Sequence, residues 1–162
     1  MQGRGDPVDS EQTKETVVAY PEFFVAPMRE ELTQLGIREL RTAADVDKAL
    51  TQKGTTLLVV NSVCGCAAGR ARPALAEAVK HPQKPDHMTT VFAGADLEAT
   101  ARAREYLTGY PPSSPAVALL RDGQLVWMME RRQIESQGMD GIVSDLTTAF
   151  DQHCARETAD KA

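Results

Sequence analysis

The stretch Thr55-Thr56-Leu57-Leu58-Val59-Val60-Asn61-Ser62-Val63-Cys64-Gly65-Cys66-Ala67-Ala68-Gly69 decides the fold. Its first six residues are β-branched or apolar without polar alternation, the pattern of a strand buried on both faces of a partly parallel sheet. After Cys64 the sequence turns alanine-rich and reads as a helix to about residue 80, interrupted at Pro73, which should kink it. A buried strand handing over directly to a helix is the central step of an α/β fold. Cys64 and Cys66 stand at that handover.

Working outward, residues 87–93 give a second strand through Val91, Phe92 and Ala93, and residues 96–108 a helix closed by Gly109. Residues 116–120 form a further apolar strand. Asp122-Gly123 is a two-residue hairpin signal leading into residues 125–129, so these two strands should be antiparallel. The closing helix, residues 139–153, sets Met139, Ile142, Val143, Leu146 and Phe150 on one stripe. Upstream, Pro27 suits a first helical position, Met28, Leu32 and Leu35 share a face, and Gly36 is the stop. Residues 37–41 read as a brief edge strand. Thr42 with Asp45 forms a capping-box variant opening a helix with Val46, Ala49 and Leu50 inward, which Gly54 closes. The order predicts a mixed sheet with helices on both faces, an α/β sandwich.

Composition narrows the class. A chain of 162 residues is one domain's worth of material, and 42% apolar with 25% charged residues is the balance of a globular protein. The expected division is an extension over 1–17 without apolar periodicity, hence disordered, a folded domain over 18–154, and a flexible tail over 155–162. The net charge is −5 and no basic run exceeds a pair such as Arg131-Arg132, which argues against nucleic acid as a partner. No apolar run approaches the roughly 18 residues of a membrane span, so no membrane partner is expected. The polar amino terminus, with Gly3, Gly5 and Pro7, lacks the apolar centre of a secretory leader, which points to the cytoplasm. Three cysteines are too few for a disulfide scaffold, and in a reducing compartment a closely spaced pair suggests chemistry.

That chemistry follows from position. A cysteine at a helix amino terminus faces unpaired backbone N–H groups and the positive end of the helix dipole, which favour the thiolate. Cys64 is therefore the expected nucleophile. Two residues i and i+2 of a regular helix project about 200° apart, so a Cys64–Cys66 disulfide would have to distort the turn. Gly65, without a Cβ, eases that distortion, yet the bridge should remain readily surrendered. The run Pro111-Pro112-Ser113-Ser114-Pro115 precedes a strand. An X-Pro bond there can be cis, and the loop can offer backbone groups to a peptide or thiol held beside the cysteine.

The run 61–69 with its Cys64-Gly65-Cys66 core, the early Met28-Arg29-Glu30-Glu31-Leu32, the Ser113-Ser114-Pro115 loop and the Asp122-Gly123 hairpin together resemble the bacilliredoxin family, from about Tyr20 to Cys154. The resemblance implies a thioredoxin-like three-layer sandwich. It implies that the first cysteine attacks a mixed disulfide between a client protein and bacillithiol, takes the small thiol onto itself and frees the client. By position, Cys64 is then the attacking residue and Cys66 its resolving or modulating partner. Ser114-Pro115 matches the cis-proline loop, and Gly65, Ser114 and Pro115 would border the substrate. Protein disulfide reductase or isomerase activity is also implied. No tightly bound cofactor is expected, with bacillithiol a substrate and bacillithiolated or disulfide-containing clients the partners.

Other residues take plainer readings. Cys154, beside His153, reads as a harmless semi-exposed thiol. His81 and His87 read as solvated residues of a connecting loop, and the Met128-Met129 pair beside Trp127 as strand packing. Arg70 and Arg72 could hold the carboxylates of a small thiol, but a solvated helix face is the safer reading. The rival function is soft-metal binding, in which the Cys64/Cys66 thiolates hold Cu(I), or Cys154 and His153 complete a zinc site.

Overall fold

The computed structural model describes residues 19–154; the expected extension over 1–17 and tail over 155–162 lie outside the described residues. At the centre is β2 (Thr55–Asn61), every residue of which is buried. It lies parallel to β3 (His87–Phe92), which in turn carries the short parallel edge strand β1 (Arg38–Glu39). On its other side β2 pairs antiparallel with β4 (Ala116–Arg121), and β4 with β5 (Gln124–Met129). The order β1-β3-β2-β4-β5 is the mixed sheet expected from the sequence.

The apolar run of β2 feeds two cores, because alternate side chains point to opposite faces. Leu57 and Val59 pack on one side with α1 (Glu22–Thr33), α3 (Arg72–Ala78) and α6 (Met139–His153). Leu58 and Val60 pack on the other with α2 (Ala43–Leu50) and α4 (Leu97–Glu105). A strand that must be apolar at every position is thus the direct product of a three-layer sandwich. Thr42 caps α2 as expected, its hydroxyl accepting the Asp45 N–H at 3.0 Å. Asp122 and Gly123, at φ 51° and 85°, make the hairpin turn with both central residues left-handed. Met128 and Met129 are buried strand residues.

Several elements differ from the expectation. Helix α1 begins at Glu22, not at Pro27, and Pro27 lies inside it. The ring deprives one carbonyl of its partner near the first turn, where the helix is open to solvent with Phe23 82% exposed, and the remaining bonds carry the helix through. Pro73 leaves a different mark. The five residues Ala67–Ala71 form a π-turn, and the Arg72 N–H reaches back to Ala67 O just before the proline that has no N–H to give. The short helix α5 (Arg131–Glu135) has no counterpart in the expectation; the Glu130 side chain accepts from the N3 backbone while Gln133 returns a bond to the Glu130 N–H at 2.8 Å. Among the described residues no helix is long and apolar enough to cross a membrane.

Candidate functional site

Strand register brings three loops to one end of the sheet. Val60 pairs with Ala116 and Val117 with Met129. The residues just beyond β2, just before β4 and just after β5 therefore converge: the Ser62-to-Cys66 turn, the Ser113-to-Pro115 loop and α5. This is the carboxyl edge of the parallel strands, beside the switch to antiparallel pairing, where α/β sheets open a crevice.

Cys64 occupies the cap position of the active-site helix: its carbonyl accepts from the Ala67 and Ala68 N–H groups, each at 3.1 Å. It is half-buried and free, as is Cys66. Partial burial alone would resist ionisation of Cys64. It is outweighed by the Ala67 N–H, the Ser62 hydroxyl and the Cys66 N–H, which hydrogen-bond its sulfur, and by the nearby Arg131 charge, so the thiol is held below its ordinary value. The sulfur stands where a Ser or Asp cap oxygen would accept the N2 and N3 donors. Cys66 goes the other way. Burial, a hydrogen bond to Glu135 and the proximity of the Cys64 charge raise it, and its Sγ donates to Glu135 Oε2 at 3.3 Å. Ionisation is favoured at one thiol and opposed at its neighbour.

The pair is not arranged as two helical residues. Cys64 precedes the helix and Cys66 is its second residue, so the 200° projection does not apply, and the two thiols already meet, Cys64 hydrogen-bonding Cys66. Gly65 has no unusual φ, and a Cβ built on it meets nothing within 4 Å. Its lack of a side chain relieves no turn, and the space beside it is open. The Ser114-Pro115 bond is cis. Ser113 Oγ accepts the Arg131 N–H at 2.7 Å and Ser114 O accepts from Arg131 Nη1 at 3.4 Å, tying the proline loop to α5.

The two arginines read as a solvated face are both engaged by the protein, Arg72 buried and Arg70 half-exposed. Arg72 is 3% exposed and donates to Glu31 Oε1 at 2.8 Å, Asn61 Oδ1 at 2.9 Å and Ser62 O at 2.7 Å. Asn61 Oδ1 also accepts the Ser62 N–H, Asn61 Nδ2 donates to Met28 O, and Ser62 Oγ accepts the Cys64 N–H at 3.2 Å. A buried cation thus fixes the turn that carries the nucleophile, and the Met28-to-Leu32 run supplies its counter-charge. Arg70 donates to the carbonyls of Ile134 and Glu135, closing the carboxyl end of α5. Cys154 is 3% exposed, not semi-exposed, and burial first of all pushes its thiol up to about 11. It sits by Thr55, at the opposite end of β2 from Cys64, roughly 20 Å away at about 3.3 Å per strand residue. It cannot complete a metal site with Cys64 and Cys66, and no group of three or more metal-ligating side chains forms among the described residues. His81 bonds Asp151 at 2.8 Å, and His87, the first residue of β3 and not of a loop, bonds Lys53 O at 3.2 Å.

Sequence reasoning passed over Ser62, Arg131 and Glu135. The signal for the last two was present in Glu130-x-x-Gln133, a helix start, followed by an i,i+4 charge pair; Arg131 Nε bonds Glu135 Oε2 at 2.9 Å.

Comparison with known proteins places this arrangement. A family model described as Disulphide isomerase matches residues 20–154. The fold is that of thioredoxin: a thioredoxin of Malassezia sympodialis superposes with a TM-score of 0.53 at 16% identity, covering 74% of this chain and 91% of that one. Thioredoxin O2 of Arabidopsis thaliana gives 0.51 at 16%, covering 75% and 97%. The molecule is a thioredoxin-fold thiol-disulfide oxidoreductase. Among sequence relatives, a bacilliredoxin of Koribacter versatilis is 55% identical over 144 residues, 88% of this chain and 99% of its own. One of Salinibacter ruber is 57% identical over 141 residues, 85% and 83%. The chain belongs to the bacilliredoxin family.

Proposed function

We propose that the protein removes bacillithiol from mixed disulfides on client proteins in the cytoplasm, with Cys64 as attacking thiolate and Cys66 as resolving thiol. The observation that carries this reading is the capped Cys64 sulfur, eased toward ionisation by the N–H groups and hydroxyl around it, beside a neighbour whose ionisation is held back. The Cys64 thiolate attacks the small-thiol sulfur of the mixed disulfide. The bond between that sulfur and the client cysteine breaks, and the client thiolate leaves and takes a proton from solvent. The small thiol is now bonded to Cys64. Cys66, having lost its proton, attacks the Cys64 sulfur, the small thiolate departs, and a Cys64–Cys66 disulfide forms; alternatively an external thiol attacks the small-thiol sulfur and returns Cys64 directly. Two electrons from the cysteine pair, or from the external thiol, reduce the client's disulfide.

Gly65 is exposed next to the nucleophile with open space beside it, and the Ser114-Pro115 loop borders the same end of the sheet, which supports their assignment as substrate-contacting residues. Proteins with ordinary disulfides are further candidate clients. The test is intact mass after exposure to oxidised bacillithiol. The parent and Cys66→Ser should gain the adduct, longer-lived in Cys66→Ser, and Cys64→Ser should not. A parent that takes up no adduct but retains stoichiometric copper or zinc through gel filtration would overturn this reading in favour of metal binding.

A further inference from the structure

The proline loop and α5 line an open cavity of about 440 Å³, within the range of small-molecule sites. Its wall includes Ser113 and Ser114, the ion pairs Arg131–Glu135 and Arg132–Glu130, and Arg104 from α4. Two of the three arginines are therefore neutralised by the two glutamates of the same wall. Arg104 is not: among the described residues it has no ion-pair partner, and its Nε is buried without a hydrogen bond. Its guanidinium therefore brings an unbalanced positive charge to the cavity wall. Burial uncompensated by a counter-charge also lowers its affinity for its proton. The same cavity reaches the chemistry through its own wall, since Glu135 bonds the Cys66 sulfur and Arg131 faces Cys64.

We infer that this cavity seats the anionic part of the small thiol, and that Arg104 is the residue that binds its carboxylate while the thiol's sulfur lies at Cys64. The inference rests on the small-thiol transfer proposed above and deepens it. It moves the carboxylate contact away from Arg72, whose donors are spent inside the protein, and from Arg70, whose Nη1 is committed to the carbonyls that close α5. A carboxylate can accept two parallel N–H bonds from a guanidinium, the planar match that lysine does not reproduce.

The test uses the full chain and a reporter protein with one surface cysteine, capped through a mixed disulfide with mercaptosuccinate or with 2-mercaptoethanol. The second-order rate of cap transfer is divided by the rate of the same capped reporter with dithiothreitol, which cancels intrinsic reactivity. The parent should prefer the mercaptosuccinyl cap about tenfold, the equivalent of one charge-assisted hydrogen bond. Arg104→Gln should reduce that ratio to near one, and Arg104→Lys should restore part of it. Arg38→Gln, which removes the same charge from the exposed edge strand, should leave the ratio unchanged. A parent without preference, a preference that survives in Arg104→Gln, or an equal loss in Arg38→Gln would overturn the assignment of Arg104 while transfer itself stands. No transfer of either cap would overturn the transfer reading and this inference with it.

Discussion

Ser62 is the side chain whose removal should most directly reveal how Cys64 is activated. Its hydroxyl is bonded to the Cys64 sulfur and accepts the Cys64 N–H. A hydrogen bond to a charged group contributes about 1.5 kcal/mol or more, so Ser62→Ala should reduce the thiolate fraction about tenfold at pH values below the titration of the thiol. The thiolate that remains is the more basic one, and with a Brønsted coefficient of about 0.45 its intrinsic reactivity should rise about threefold. The two effects oppose each other. Alkylation of Cys64 by iodoacetamide, followed by mass spectrometry, should be about threefold slower than in the parent at acid pH and about threefold faster at alkaline pH, where both proteins are fully ionised. The two pH profiles should cross. Ser62→Thr, which keeps the hydroxyl, should track the parent. Profiles that superimpose, or differ by one constant factor at every pH, would refute the account of Ser62 as a stabiliser of the anion.

Glu135→Gln in a Cys64→Ser background should let Cys66 ionise at lower pH, because burial would remain but the adjacent carboxylate would be gone; its alkylation at pH 8 should quicken severalfold. Cys154, with its thiol raised to about 11, is protonated in the folded chain at pH values where the unfolded chain already ionises. Its contribution is complete below about 9 and is lost as pH rises toward 11, so parent stability should fall over that window by about 3 kcal/mol more than that of Cys154→Ala, measured by urea denaturation. Gly123→Ala should lower stability by about 1–2 kcal/mol. The φ of 85° strains an L-residue, whereas the added Cβ would meet Leu50 O at an ordinary 3.5 Å.

What the sequence disclosed, and what it withheld, divides along physical lines. The central strand, the hairpin, the capped α2 and the closing helix were legible because each is set by local pattern: an unbroken apolar run, Asp-Gly, Thr with Asp three residues on, and a 3.6-residue stripe. Cys64 at a helix entrance was legible for the same reason. Arg72 was not, because a buried cation has no periodic signature; only the tertiary approach of Glu31, Asn61 and Ser62 makes its burial tolerable. Cys154 looked like a chain-end thiol, yet it is drawn inward on the face shared with Phe150 and Leu146. Pro27 misled because proline marks where a helix cannot continue its bonding, not where it must start. Arg131 and Glu135 were hidden by the shortness of α5, five residues whose period cannot be read.

The pairing of Val60 with Ala116 reaches further than its two residues. A slip of β4 by one position would carry Ala116, Ala118 and Leu120 out of one core and into the other, reversing the inside and outside of both layers at once. The spacing between the cysteine turn and the proline loop is therefore fastened to the least adjustable choice the whole chain makes. Damage to the sheet should not leave a slightly misaligned enzyme; the reactive centre should persist intact until the domain itself gives way.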